Sequence, residues 1–325
     1  PDVLTLEDIH QPSVASDQVL VRVRASSMHA DVWHVVSGRP FVLRLMGAGL
    51  RRPKNPVPGT DVAGTIESVG NNVTRFQPGD DVFGEIVQGH QWKNGGAFAE
   101  YVAVPADALT LKPSNITFEE AAAVPTSALI ALRSIRNEGR IEPGNRVLVN
   151  GAAGGVGLFA LQIAAGLGAH VTGVDGKAKL ETMRAAGADE VIDYKAQDFT
   201  TGDVPYDVII DIPCNRSFSD LKRVLVDDGR YVLIGHDHYG GTGSRWIGPT
   251  LPRILKLELT SPFGRKKRKD KAATDGSDPL ETLREMLEAG EIRAVIDRTF
   301  PLEQTPEALR YLMAGLARGK IVITV

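Results

Sequence analysis

The chain has 325 residues, 42% apolar and 24% charged, with a net charge of -3. That length suggests one large domain or two ordinary ones, the composition is that of a globular protein able to bury its own core, and the charge points away from nucleic acid as a partner. No apolar run reaches the ~18 residues of a membrane span, no secretory signal is visible, and the one cysteine, Cys214, excludes an intrachain disulfide and a cysteine-built zinc site. A cytoplasmic enzyme without a membrane or nucleic-acid partner is the expectation. Because the chain opens on Pro1 rather than methionine, a short native segment is expected ahead of it.

Residues 1 to about 120 alternate short apolar strands with Gly and Pro turns. VLVRV (19–23) alternates as a half-buried strand does, and 62–69 and 101–104 read the same way. Gly59, Gly64, Gly70, Gly79 and Gly84 punctuate the run at turn-like spacing. An all-β unit, a partly open barrel, is expected. From residue 118 the texture changes. Residues 119–136 are alanine-rich and helical apart from a break at Pro125. Strands at 146–150, 171–174, 191–192, 208–212 and 231–234 then share the chain with helices at 157–167 and 178–186, the pattern of βαβ units on a parallel sheet. Residues 235–278 form a long irregular connection, of a length that usually carries function. Its basic run RKKRK (265–269) reads as a solvated loop rather than a lipid or nucleic-acid site. The chain closes with helices at 279–289, where Leu280, Leu283 and Leu287 share a face, and at 305–316, and a strand at 320–325.

The segment VLVNGAAGGVG (147–157) carries the chemistry. A strand ends at Asn150, a glycine-rich turn follows through Gly151, Ala152, Ala153, Gly154, Gly155, Val156 and Gly157, and a helix is expected from Leu158. The spacing Ala152-x-Gly154-x-x-Gly157 is the G-x-G-x-x-G dinucleotide fingerprint with alanine first. A small first residue permits the tight turn, Gly154 lets backbone approach a pyrophosphate, and Gly157 lets helix pack on strand. The helix N-terminus offers free N–H groups and partial positive charge to phosphates. Asp175, about 20 residues on at a strand end, can accept both ribose hydroxyls of NAD and repel the extra phosphate of NADP. Lys177 and Lys179 lie just beyond and could attract that phosphate instead. The cofactor is therefore NAD(P)H, with a lean to NAD(H). Tyr194 ends a strand on the adenosine side, where it contacts ribose or phosphate or packs an edge. Gly235, His236 and His238 follow the last strand of the sheet, and one of the two histidines is placed to touch nicotinamide or substrate.

Seven segments are familiar together: PVPGTDVAGTIESVG (56–70), FQPGDDVFG (76–84), GGAFAEY (95–101), AAAVPTSALIAL (121–132), the glycine turn, AAGADEVIDY (185–194) and ARGKIVITV (317–325). Through them the chain resembles the medium-chain dehydrogenase/reductase superfamily over essentially its whole length. Within it, the chain is similar to the zinc-free quinone oxidoreductase-like branch, near the bacterial relatives of the reticulon-4-interacting oxidoreductase. The resemblance implies an α/β protein with a GroES-like β-rich catalytic domain (1–120 and 261–325) and a Rossmann doubly wound parallel-sheet domain (121–260). It implies a cofactor in the cleft between them and a homodimer joined through Rossmann sheet edges. It gives Thr126 a contact with the nicotinamide and Lys320 a place near the cofactor.

Zinc-dependent members carry three ligands, at positions that fall here on His29, Thr60 (in Gly59-Thr60-Asp61, where they have G-H-E) and Ala122. One ligand of the three a catalytic zinc needs is present, so no zinc is expected. Without a Lewis acid, oxidation of a simple alcohol is hard, whereas an electrophilic carbon can take hydride while hydrogen-bond donors meet the oxyanion. The expected activity is hydride transfer from NAD(P)H to a small molecule, a quinone or α,β-unsaturated carbonyl. His29 is the candidate donor to substrate oxygen. Asp31 and His34 fall where alcohol-oxidising relatives relay a proton, although Asp31 departs from their hydroxyl residue. Trp33 is a pocket wall or plain core, and Asp61 orients a nearby Arg or His or is simply a turn carboxylate. The competing readings are a metal-free alcohol/ketone dehydrogenase using Asp31 and His34, and a non-catalytic NAD(P)H-binding redox sensor.

Overall fold

The computed structural model describes residues 2–39, 44, 51–53, 55–87, 93–235 and 278–325. These fall into two compact units, one built from 2–126 and 278–325, the other from 127–235.

The first unit is a seven-stranded sheet system around one long strand. Strand β1 (Gln18–Met28) alternates buried and exposed side chains only from Val21 to Ala25; Leu20, expected on the open face, is buried, and so are Ser26 to Met28. It pairs antiparallel with β2 (Asp61–Val69) along most of its length. Its first half also pairs with β4 (Tyr101–Pro105) and its last four residues with β12 (Lys320–Thr324). From β2 the sheet continues to β3 (Asp81–Glu85) and β5 (Leu109–Leu111), and β12 carries β11 (Ile296–Pro301) in parallel. Val19, Val21, Val23, Val62, Ile66, Val82, Val102 and Val104 fill the interior. Each such fully buried branched side chain contributes about 1.5–3 kcal/mol of hydrophobic stabilisation before entropy is counted.

The glycine punctuation proves to be of two kinds. Gly79 (φ 96) is a true turn residue, while Gly59 (φ 90) combines a left-handed backbone with a close approach of Phe98. Gly64 and Gly84 instead lie inside β2 and β3, where a Cβ would run into the carbonyl oxygens of Arg22 and Ala108. They are close-approach positions of crossing strands, not turns.

Helix α1 (Ala30–Ser37) follows β1 and ends at Gly38 in the left-handed region (φ 59). The expected helical stretch 119–136 is divided at the proline, into α2 (Phe118–Ala122) and α3 (Pro125–Arg133), the latter running into a π-turn over Ser134–Gly139. Thr117 and Glu120 close a reciprocal capping box at the start of α2.

In the second unit β6 (Arg146–Asn150), α4 (Gly155–Gly166), β7 (His170–Asp175), α5 (Leu180–Ala185), β8 (Glu190–Asp193), β9 (Tyr206–Asp211), α6 (Phe218–Arg223) and β10 (Leu225–Leu233) follow one another. All five strands are parallel, in the order β10-β9-β6-β7-β8. This is the doubly wound order of a dinucleotide-binding sheet, with its reversal between β6 and β9. Right-handed crossovers from β6 outward in opposite directions set α4 and α5 on one face and α6 on the other. Leu148, Val174, Ile192, Phe199, Ile209 and Leu221 pack its interior.

Several boundaries differ from expectation: β10 starts at Leu225, six residues before 231, and β1 runs on to Met28 rather than ending at Val23. Helix α4 begins at Gly155, three residues before Leu158, so Gly155, Val156 and Gly157 form its first turn rather than the loop. The last helix, α8 (Thr305–Met313), stops three residues short of 316 because Gly315 adopts the left-handed conformation (φ 68) that ends helices. Helix α7 (Pro279–Glu288) is as expected, with Asp278 capping Leu280 N and Leu280, Leu283 and Leu287 buried.

Candidate active site and nucleotide-binding turn

In the first unit, the ends of three strands gather the predicted polar residues. β1 runs out at Met28, and His29 stands extended (φ -142, ψ 175) as N-cap of α1. β2 starts at Asp61, which places Thr60 at its mouth. His29 Nε2 lies 2.6 Å from Thr60 Oγ1, and His29 Nδ1 lies 3.5 Å from Asp31 Oδ2. A carboxylate only accepts, so a proton on Nδ1 faces Asp31 and leaves Nε2 to accept from the Thr60 hydroxyl. The His29 side chain is 10% exposed.

The remaining α1 candidates divide. His34 is buried, not solvent-facing: its Nδ1 lies 2.8 Å from Arg39 O, and its ring meets Trp33 edge-on at 4.8 Å. Trp33 packs with Met28, Phe98, Leu309 and Ile321 in a core cluster. The structure therefore brings Asp31 to His29, seats His34 on Arg39, and places Trp33 in the core.

Asp61 is the hub of this unit. It is 0% exposed. Its Oδ2 accepts from Ser27 Oγ at 2.5 Å and faces Lys320 Nζ at 3.6 Å. Its Oδ1 accepts from Thr126 N at 3.0 Å and Thr126 Oγ1 at 2.5 Å, and its backbone carbonyl accepts from Ser26 Oγ. Lys320, on β12, is 3% exposed, and burial pulls its ammonium below the usual lysine range against the pull of Asp61. Thr126, the first residues of α3 and the mouth of β2 are thereby fastened together, and the groups that Asp61 meets are Lys320, Thr126 and Ser27 rather than an arginine or histidine. Glu85, at the end of β3, lies 3.1 Å from Thr126 Oγ1. Burial first, then Asp61, pushes its carboxyl up to about 7. Glu85 and Ser27 were not expected from sequence. The sign that could have found Glu85 is a carboxylate on the same strand face as the apolar Phe83.

In the second unit, the glycine turn is built as the fingerprint requires. Gly151 N and Ala152 N donate to Val174 O, fastening the turn to β7, and Gly151 takes φ 80. A Cβ on Gly157 would strike the carbonyl oxygens of Gly151 and Ala152, so only glycine lets α4 sit this close. Gly154 caps α4 without a side-chain hydrogen bond, and a Cβ there would have only Gly151 O within reach, at 3.5 Å. The first turn of α4 thus presents backbone N–H groups beside open space. These residues fit a dinucleotide pyrophosphate.

Asp175 ends β7 with a partly open carboxylate that accepts from Ala153 N at 3.1 Å and Gly176 N at 2.7 Å. Lys179 Nζ lies 3.5 Å from its Oδ1. The acid and the lysine thus form an ion pair. The Tyr194 ring is exposed and lies over Gly176, and its backbone N donates to Asp175 O. At the sheet's reversal, Asn150 Nδ2 donates to Asp211 Oδ1 (2.8 Å) and Asn215 Oδ1 (3.0 Å), locking the end of β6 to the end of β9. Tyr231 OH also donates to the buried Asp211, at 2.8 Å. Gly235 packs closely on Ile212 O. His236, His238 and the basic run 265–269 lie outside the described residues.

Among the described residues, the donors at the zinc-ligand positions fall short of the three ligands of a catalytic zinc. Of the three positions at which zinc-dependent relatives hold ligands, His29 offers nitrogen, Thr60 a hydroxyl already bonded to it, and Ala122 a methyl group on α2. Among the described residues, no helix is long and apolar enough to cross a membrane.

Residues 15–114 match the alcohol dehydrogenase GroES-like domain, and residues 186–323 match the family described as zinc-binding dehydrogenase. The mitochondrial NAD(P)H oxidoreductase RTN4IP1 of Mus musculus is 33% identical over 366 residues, spanning 99% of this chain and 84% of its own length. The chloroplast envelope quinone oxidoreductase homolog of Arabidopsis thaliana is 30% identical, over 96% of this chain and 91% of its own. The 2-methylene-furan-3-one reductase of Solanum lycopersicum is 30% identical, over 99% and 76%.

Proposed function

The chain belongs to the medium-chain dehydrogenase/reductase superfamily, as an oxidoreductase of the quinone oxidoreductase-like kind, and from that premise we propose that it transfers hydride from NAD(P)H to a quinone or α,β-unsaturated carbonyl without zinc. The observation that carries the metal-free part is the His29–Thr60 bond: where zinc-dependent members converge three ligands, one imidazole and one hydroxyl are closed on each other at 2.6 Å. Two relatives, named for a quinone and for a furanone bearing a conjugated methylene, support the substrate class.

The nicotinamide, when bound, supplies the hydride. The first turn of α4 holds the pyrophosphate through its N–H groups and dipole. Reduction of a quinone, or of the C=C bond of an enone, takes up one hydride and one proton. The Thr60 hydroxyl is the donor for the oxygen on which charge develops, turning away from His29 Nε2 to reach it. Asp61 holds Thr126 and Lys320 in place.

The test is nicotinamide oxidation by the purified protein with a panel of quinones and enones, before and after dialysis against a chelator. Turnover above the blank, unchanged by dialysis, is the expected result. A rate no faster than blank overturns the activity, and loss on dialysis with recovery on added zinc overturns the metal-free reading.

Asp175 supports NADH as the preferred cofactor, since its carboxylate stands at the strand end where a ribose is read. Asp175→Ser is expected to lower the ratio of NADH to NADPH affinity at least about tenfold, roughly 1.4 kcal/mol. A wild type that prefers NADPH would show that the Lys179 charge outweighs its partner.

A further inference from the structure

Asp61 and Glu85 are direct cross-strand partners on β2 and β3. Two carboxylates directly opposite on a sheet repel, and here both are buried, at 0% and 9% exposure. The donors are unequally shared. Asp61 takes Ser27 Oγ, Thr126 N and Thr126 Oγ1, and it faces Lys320. Glu85 meets Thr126 Oγ1, at 3.1 Å against the 2.5 Å from that oxygen to Asp61. A hydroxyl has one proton to donate. If Thr126 gives it to Asp61, the bond between Thr126 and Glu85 needs a proton on Glu85.

We propose that Glu85 is a positioning residue held as a neutral carboxylic acid, donating to Thr126 Oγ1 and so committing the Thr126 hydroxyl to Asp61. The role rests on reading this cluster as part of the reductase site. The groups that face Glu85 come from every neighbouring element: Asp61 from β2, Thr126 from α3, Lys320 from β12, and His29 and Asp31 from the start of α1. Burial and the two aspartates favour its proton, while His29 opposes it. Ionisation, centred at about 7, sets two carboxylates on one hydroxyl proton. Thr126 is then shared between strands β2 and β3 rather than fixed to one.

Two measurements on the full chain test this. Side-chain carboxyl NMR of isotope-labelled wild type, without cofactor, is expected to show one glutamate resonance with a midpoint near 7 that is missing in Glu85→Gln. Separately, wild-type kcat/KM is expected to fall about tenfold per pH unit above neutrality, an inflection that Glu85→Gln, with a neutral donor at all pH, removes. A Glu85 midpoint in the ordinary carboxylate range, or the same inflection in Glu85→Gln, overturns the proposal. A midpoint near 7 with no quinone or enone turnover supports the neutral acid and overturns the reductase reading instead.

Discussion

Replacing Asp61 with alanine is expected to destabilise the protein by about 3–5 kcal/mol, the cost of leaving one member of a buried ion pair without its partner. Lys320 is 3% exposed and its ammonium faces Asp61 Oδ2 at 3.6 Å. Burial already works against its charge with Asp61 present. In Asp61→Ala the ammonium must lose its proton or draw on Glu85, and Ser27 and Thr126 lose their acceptor as well. Chemical denaturation of Asp61→Ala and of the double variant Asp61→Ala/Lys320→Met measures the effect. The double variant should recover part of the loss, because no charge is left stranded, while Ser27 and Thr126 still lack the Asp61 acceptor. A loss below about 1 kcal/mol in the single variant, the size of an exposed ion pair, would contradict the buried pairing. Glu85 acts in the opposite sense. Its folded pKa is raised from 4.5 to about 7, so its contribution is fully present below about 4.5 and is lost as pH rises through about 7.

Gly154→Val is expected to weaken NADH and NADPH binding at least about 100-fold, roughly 2.7 kcal/mol, while leaving the thermal transition in place. The backbone of Gly154 (φ -81, ψ 172) is extended and open to any residue, and a Cβ there meets only an ordinary contact with Gly151 O. The added side chain stands instead in front of the first turn of α4, where phosphate would lie. Gly157→Val is the contrasting variant: its Cβ runs into the Gly151 and Ala152 carbonyls, so it should lower stability as well as binding. Cofactor fluorescence titration with a melting curve for each variant separates the two. Equal affinity of Gly154→Val and wild type would remove the glycine turn from the binding site.

Much of the second unit was legible in the chain. The apolar strand 146–150, the glycine spacing and the acid at 175 depend on local backbone rules, and the structure places Asp175 on the turn itself through Ala153 N. The start of α4 was misplaced because glycines argue against helix locally, and packing on β6 and β7 overrides that preference. The Asp175–Lys179 ion pair joins the end of β7 to the turn before α5, so no helical spacing announces it. In the first unit the strands could be seen, but their crossings could not. Gly64 and Gly84 have the look of turn glycines, and only the approach of Arg22 O and Ala108 O reveals what they are for. The Asp61 hub joins residues 27, 61, 126 and 320, brought together by sheet pairings of long sequence separation that no local pattern encodes. Glu85 belongs to the same class.

The most direct test of the central claim follows the hydride itself. The protein is given an enone and a reduced nicotinamide bearing deuterium at the transferable position, and the product is analysed by mass spectrometry and NMR. The account predicts a saturated ketone with one deuterium at the β-carbon, formed at the same rate in protein freed of zinc. A reduced product without deuterium, or none formed beyond the blank, would contradict it.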